Sequence, residues 1–372
     1  MPKISIILPS YNHAPYIKEA INSVIKQTFS DFELLISDDA STDESVKYIR
    51  ECNDPRIKLH TFSKNQGSTI NVCFLLGECQ GEYVALINSD DVWLPQRLEK
   101  GVAYLDAHPE CGAVFSWADL IDEKSQVIME NCDVFSQPNR SQAEWLRYFY
   151  TRSNCLCHPS MLIRRSVYDR IGRYCLGMRQ LPDFDMWIRL VKHYDIHIFQ
   201  EVLVQHRRFV STGQNESAPI PDNSVRNVNE SLYILMHFFD DMSDDLFVAA
   251  FRGYFRNKNA QTPLQLICEK YFLMLDEHYF IGKIHLMAAM YYFLEHCNRL
   301  DVLEILEHDY GYSLADFYKI GTELDILGIR AAQAKAPKAD PMLAKFSWIK
   351  RKLGNTVVYS IARKIYHRIK IN

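Results

Sequence analysis

Three groups of carboxylates stand out by position: Asp38-Asp39, Asp90-Asp91, and Asp183 with Asp185. Adjacent carboxylates repel each other unless a cation or hydrogen-bond donors compensate them. Hard oxygen ligands of this kind suit Mg2+ or Mn2+, ions that also favour phosphate oxygens. A turn or a helix N-cap accounts for the same residues without a ligand, because Asp favours both. Asp183, behind Pro182, fits a helix start, where the macrodipole favours a carboxylate. It fits equally a general base that takes a proton from a hydroxyl. The chain has no GxGxxG and no GxxxxGK[ST], so neither a dinucleotide fingerprint nor a P-loop has a carrier. A Ser-His-Asp or Cys-His signature is likewise missing.

The elements around these carboxylates alternate. Ile4–Leu8 is a buried β-rich run ended by Pro9, and Ile17, Ala20, Ile21, Val24 and Ile25 then recur at helical spacing. Glu33–Ser37 is a second strand ending at Asp38-Asp39. Ser41-Thr42-Asp43-Glu44 reads as a capping box for a helix carrying Val46 and Ile49. Ile57–Phe62 is a third strand, Ser68 starts a helix reaching Cys79, and Tyr83–Ile87 is a fourth strand ending at Asp90-Asp91. Pro95 suits the first turn of the next helix. This order predicts a mostly parallel, open α/β sheet, whose ligands bind beyond the C-terminal strand ends. Pro9-Ser10-Tyr11-Asn12, Asp38-Asp39 and Asp90-Asp91 all fall at such ends.

Taken together, ISIILPSYN (4–12), SDDASTD (37–43), Asn65-Gln66-Gly67 followed by Asn71, Gly81-Glu82-Tyr83 and NSDDVWL (88–94) with Arg97-Leu98 resemble family 2 glycosyltransferases of the GT-A fold. HPSMLIRRSVYDRIG (158–172) and DFDMWIRL (183–190) resemble that family's acceptor half. The likeness spans about residues 3 to 215 in the family's order, and its motif style is that of bacterial surface-polysaccharide enzymes. The resemblance implies that Pro9, Tyr11 and Asp39, with Asp38 and Asn65, hold the uracil and ribose of a UDP-sugar. It implies that Asp90 lies on the ribose and metal side, that Asp91 binds Mn2+ or Mg2+ directly, and that Asp183 is the base. His158 falls in the acceptor-half motif. The pattern departs from the family at Asn88, often Asp, and at Pro182, often Glu, which keeps Asp185 as a second choice of base. His206-Arg207-Arg208-Phe209 matches an Arg-x-His segment loosely, and Ser211, Gln214 and Asn215 suit a loop over the site. The implied reaction is one inverting displacement at the sugar, with the acceptor hydroxyl as nucleophile. A nucleotide- or glycan-binding protein without chemistry is the second reading. A nucleotidyltransferase is the third, though it would need a Gly- and Lys-rich triphosphate loop that Pro9–Asn12 does not offer.

The bulk features agree with an enzyme. The 372 residues suggest more than one domain, and 48% hydrophobic with 24% charged residues is ordinary for a globular chain. Domains are expected at 1–219 (catalytic, GT-A) and 220–330 (helical), with a linker at 331–344 and a basic tail at 345–372. Dense apolar residues at helical spacing carry the second, from Ser231–Phe239 through Leu314–Leu327. The ten cysteines read as reduced thiols, and no apolar run approaches the ~20 residues of a membrane span. A cytoplasmic protein is expected. Net charge is −4, yet Lys345–Asn372 holds eight Lys or Arg and no acid, against 34 basic and 46 acidic residues before it. Phe346, Trp348, Ile349, Leu353, Val357, Ile361, Ile365 and Ile369 recur among those basic residues. Such an amphipathic stretch suits peripheral contact with an anionic membrane, or a docked terminal helix. Nucleic acid is not expected as a partner of so acidic a body. A glycan acceptor on a lipid carrier would suit a membrane-bound tail.

Overall fold

The computed structural model describes residues 1–209, 215, 218, 220–276 and 283–325. The expected linker and basic tail, with Ser211 and Gln214, lie outside the described residues. The chain divides into two compact units, Met1–Phe317 and Tyr318–Asn372. The first half alternates as β1 (Ile4–Ser10), α1 (Ile17–Ile25), β2 (Phe32–Asp38), α2 (Ser45–Glu51), β3 (Ile57–Thr61), α3 (Ser68–Glu78) and β4 (Tyr83–Leu86). Then come β5 (Val92–Trp93), α4 (Arg97–Ala107), β6 (Cys111–Ile121), β7 (Val127–Met129), α5 (Gln142–Thr151), β8 (Leu162–Arg164), α6 (Arg165–Ile171), α7 (Pro182–Val191) and β9 (Asp195–Arg207). The rest is helical: α8 (Pro221–Met236), α9 (Asp244–Phe251), α10 (Pro263–Leu275), α11 (Ile284–Tyr292), α12 (Leu300–Tyr310) and α13 (Leu314–Glu323).

The sheet runs β3-β2-β1-β4-β8-β6-β9-β5, with β7 beside β6. Its first four strands are parallel, as the alternating pattern predicts. Past β4 the sheet is mixed, because β8 pairs antiparallel with both β4 and β6, while β9 runs parallel to β6. β1 is apolar on both faces because it lies between β2 and β4 with helices over them, so Ile4, Ile6, Ile7 and Leu8 are all fully buried. Gly81 enters β4 where a Cβ would stand 2.4 Å from the Ser5 nitrogen, so no larger residue fits without moving the backbone. The Ser5 hydroxyl there accepts from the Gly81 amide (2.8 Å) and donates to Glu33 (2.6 Å).

Three local expectations are corrected. β1 runs on through Pro9 to Ser10, because its pairing with β4 ends at Ile7–Leu86 and the missing Pro N–H costs no bond on that side. The Ser41–Glu44 capping box does not form. Ser41 instead donates its amide (2.8 Å) and hydroxyl (2.6 Å) to Asp38, and Glu44 precedes α2 without a side-chain cap. Pro95 lies before the first turn of α4, which starts at Arg97, and its carbonyl accepts from the Thr28 amide.

The helical region packs through aromatic residues. Tyr150 of α5 meets Phe238, Phe239 and Phe251, with ring centroids 4.9, 5.5 and 5.4 Å away. α5 thereby binds α9 to the sheet layer. All ten cysteines carry free thiols, and burial pushes those of Cys79 and Cys111 up to about 12. No helix among the described residues is long and apolar enough to cross a membrane.

Candidate active site

The parallel register aligns Ser10 with Asp38, so the polar segments after β1 and β2 leave the sheet at one edge. Asp38 and Asp39 are 1% and 2% exposed. Both are committed within the protein. Asp38 holds Ser41, and the Asp39 oxygens accept the backbone amides of Gln66 (2.7 Å) and Gly67 (2.9 Å). Asp39 thus fixes the Asn65-Gln66-Gly67 turn, where Gly67 has φ +94°, a left-handed conformation that favours glycine. Asn65 is exposed on that turn. Asn12, also left-handed at φ 51°, accepts from the Thr42 amide (2.8 Å) and ties the two strand-end loops together. Pro9 is half-buried and Tyr11 is exposed at the edge.

The second pair sits beyond β4. Asp91 has no exposed surface. Its Oδ1 accepts the Arg207 amide (2.8 Å) and lies 3.0 Å from His206 Nδ1, and its Oδ2 accepts from Asn88 (2.8 Å). Burial works against the charge, but the His206 ring and these hydrogen bonds outweigh it and hold the carboxyl below its ordinary range. Asp90 behaves oppositely. Burial, and then the neighbouring Asp91 charge, push it up to about 6. Asp90 and Asp91 offer oxygen donors of the kind a hard divalent cation takes. Among the described residues, no three His, Cys, Asp or Glu side chains stand together in a group that could hold a metal ion.

Arg207 builds the frame of this pair. It has no exposed surface and donates to the Asp90 carbonyl (2.7 Å), the Asp122 carbonyl (2.6 Å), Ser125 (3.1 Å) and Glu19 (2.7 Å). His206 and Arg207 arrive through β9, whose antiparallel pairing sets Gln205 against Val92. His13 donates or accepts at Ser89 (2.7 Å), and its charge acts on Asp90.

Asp183 opens α7 half-buried. Its Oδ2 accepts from Asn154 (2.8 Å) and its Oδ1 from the Phe184 amide (2.8 Å). Asp185 is held differently, in a two-point ion pair with Arg189 at 2.7 and 3.0 Å, and Arg189 also donates to the Ile171 and Arg173 carbonyls. His158 bonds the Tyr174 hydroxyl (2.8 Å) and packs on Trp187. Burial lowers its pKa against the pull of Asp183 and Asp91. Trp93, two residues past Asp91, donates its indole N–H to the Pro159 carbonyl (2.8 Å), and the neighbouring His158 packs on Trp187 of α7, so the fold brings the Asp90-Asp91 edge and α7 to one region. His13, Asn154 and Glu19 escaped the sequence reading. His13 alone carried a signal, its place in the strand-end segment Pro9–His13.

The Glycosyl transferase family 2 model matches residues 5–172. The O-antigen biosynthesis glycosyltransferase WbnJ of Escherichia coli is 30% identical over 192 residues, which cover 50% of this chain and 71% of WbnJ. An uncharacterised glycosyltransferase of Methanocaldococcus jannaschii is 26% identical over 211 residues, 55% of this chain and 71% of that protein. Among solved structures, residues 1–349 of S. aureus TarS in complex with UDP-GlcNAc superpose with a TM-score of 0.52 at 16% identity, covering 83% of this chain and 91% of that one. That likeness establishes a shared fold.

Proposed function

Because the chain belongs to glycosyltransferase family 2 and has the GT-A α/β fold, we propose that it is an inverting enzyme that moves a sugar from UDP to a glycan hydroxyl during surface-polysaccharide synthesis. The WbnJ match supports the polysaccharide setting, and the fold shared with UDP-GlcNAc-bound TarS supports a nucleotide-sugar donor. The nucleotidyltransferase reading gains nothing from these matches.

The observation that carries this reading is the buried Asp91, ionised and fastened at three points, in the same region as the half-buried Asp183. Asp91, with Asp90 beside it, would hold Mn2+ or Mg2+, which when bound neutralises charge on a departing diphosphate. Tyr11 offers an exposed ring for the base, and Asp39 shapes the turn that carries Asn65 for the nucleoside. Asp183 would take the proton from the attacking hydroxyl, with Asn154 fixing the carboxylate so that one oxygen lobe faces the acceptor. Asp185 is the poorer base because Arg189 already holds it. We propose further that the basic tail rests on an anionic membrane, where the acceptor's lipid carrier would lie.

The test is a screen of UDP-sugars with Mn2+ or Mg2+, reading UDP release. Turnover with at least one donor is expected, lost on chelation and in Asp91→Ala. Metal-independent turnover, or turnover undiminished in Asp91→Ala, refutes the site.

A further inference from the structure

One hollow lies outside the carboxylate site. It has a volume of about 230 Å3 and is lined by Arg140, Arg147, Arg152, Tyr148, Tyr254 and Glu144, among others. Full small-molecule pockets run to roughly 300–1,000 Å3, whereas one water occupies about 30 Å3. The space therefore suits a group of several heavy atoms, not a whole ligand.

Its chemistry is cationic in an otherwise acidic body. Three guanidinium groups face one carboxylate, and Glu144 is already engaged as the capping partner of Ser141 (2.9 Å to the amide). None of Arg140, Arg147 and Arg152 forms an ion pair with a carboxylate among the described residues. Arg140 is preset by its neighbours: it stacks over the Tyr148 and Trp145 rings at 4.4 and 4.6 Å and donates to Gln137. Arg147 reaches the Ala250 carbonyl through one nitrogen only. Like charges held together around a hollow cost free energy unless an anion joins them. Planar forks of this kind bind oxyanions in pairs of parallel hydrogen bonds.

Position supplies the ligand. Arg152 directly follows α5, and two residues later Asn154 holds Asp183. Two residues span at most about 7 Å of chain, so the rim of the hollow adjoins the residue that holds the proposed base. We propose that this hollow binds the phosphate or diphosphate group through which the acceptor glycan is joined to its carrier. This rests on the glycosyltransferase reading for the word acceptor; the oxyanion site itself rests on the arginines.

The test uses the full chain with saturating UDP, so that the donor site is filled, and titrates inorganic pyrophosphate by calorimetry at physiological salt. Saturable binding is expected. Arg152→Gln, at an exposed position, and Arg147→Gln/Arg152→Gln are each expected to weaken it, the double variant about tenfold, or about 1.4 kcal/mol. UDP affinity is expected to stay unchanged. Pyrophosphate affinity unaltered in both variants, or unsaturable binding in the wild type, overturns the proposal. A second arm measures co-sedimentation with phosphatidylglycerol vesicles. Equal sedimentation of wild type and variants supports the acceptor's own phosphate. Loss confined to this arm overturns it in favour of a lipid headgroup. Normal UDP-sugar turnover with unaltered pyrophosphate affinity refutes this inference alone. Weakened pyrophosphate binding in a chain that turns over no UDP-sugar refutes only the reading above.

Discussion

Two carboxylates compete for the role of base, and their surroundings predict opposite outcomes on removal. Asp183→Asn keeps the shape of the side chain, and its amide oxygen still accepts from Asn154 at the head of α7. The acceptor for Asn154 is kept and the one for the Phe184 amide is replaced by an NH2 group, while the proton acceptor is gone. General base catalysis contributes about 100- to 10,000-fold, so kcat should fall by that factor, roughly 3–5 kcal/mol, with KM for the donor little changed. Asp185→Asn does the reverse. It breaks the charged pair with Arg189, whose guanidinium also ties the Ile171 and Arg173 carbonyls that lead into the Tyr174 turn. Both partners are partly buried, at 15% and 25% side-chain exposure, so the loss should be about 1–2 kcal/mol of stability. The assay is initial-rate UDP release at saturating donor and acceptor, paired with thermal unfolding of each variant. A Tm drop of a few degrees with near-normal kcat is expected for Asp185→Asn, and a smaller Tm drop with collapsed kcat for Asp183→Asn. The opposite pairing, or equal kcat loss in both, would falsify the assignment. Asn154→Ala adds a graded check: with the donor gone the carboxylate loses its orientation, and kcat should fall about tenfold, well short of the loss in Asp183→Asn.

Three further outcomes are expected. Arg207→Met should cut metal-dependent turnover severely and lower the unfolding midpoint, because Glu19 loses its partner and the Asp90 and Asp122 carbonyls lose a shared donor; wild-type activity and melting in this variant would show the frame to be dispensable. Gly81→Ala should destabilise by several kcal/mol, at the upper end of single-residue effects, since its Cβ meets backbone at 2.4 and 2.7 Å; denaturant titration of the purified variant decides it. Lys192 is buried, with its amine donating to the Asp240 carbonyl (2.7 Å), and burial pushes its pKa down from 10.5 to about 8 against the pull of Asp240 and nearby acids. Below pH 8 the folded and unfolded states both hold the proton, and the full cost is present. Between about 8 and 10.5 only the unfolded chain keeps it, so stability rises with pH by up to about 3 kcal/mol across that window. Urea midpoints at both ends of the window should show this rise in wild type and not in Lys192→Met.

The legible part of this protein is the part whose information is local. β1, β2 and β4 announced themselves as short, mostly apolar runs bounded by Asp, Asn and Gly, because a parallel strand buried on both faces is largely apolar, while the edge strand β3 alternates. The strand-end carboxylates were legible as positions, not as roles, since Asp there serves a turn as well as a ligand: Asp38 holds Ser41, and Asp39 holds the Gln66-Gly67 turn. The mixed half was not legible. β5 is only two residues long and β8 only three, too short for any periodicity to declare them. Yet the register of β5 on β9 is what carries His206 and Arg207 to Asp91, across more than a hundred residues of chain. Ser41 misled for a related reason: Ser-x-x-Glu is a cap signal only if no stronger acceptor competes, and the Asp38 carboxyl three residues earlier takes both of its donors.

The same contrast bears on where chemistry and specificity reside in this chain. Asp38, Asp39 and Asp91 fall at strand ends, and each is tied by at least two hydrogen bonds to backbone or side chains. Asp90, beside Asp91, is instead pushed up by burial and then by its neighbour's charge. The arginines sit elsewhere, Arg140 just before α5, Arg147 within it and Arg152 just after it, on an element attached to the helical region through Tyr150 and its aromatic neighbours. Changes in that region can shift the hollow without moving the strand ends. Recognition of a phosphate-bearing acceptor can thereby vary while the donor chemistry stays in place, and substitutions in α9 that loosen Phe247 or Phe251 should alter pyrophosphate affinity before they alter the binding of UDP.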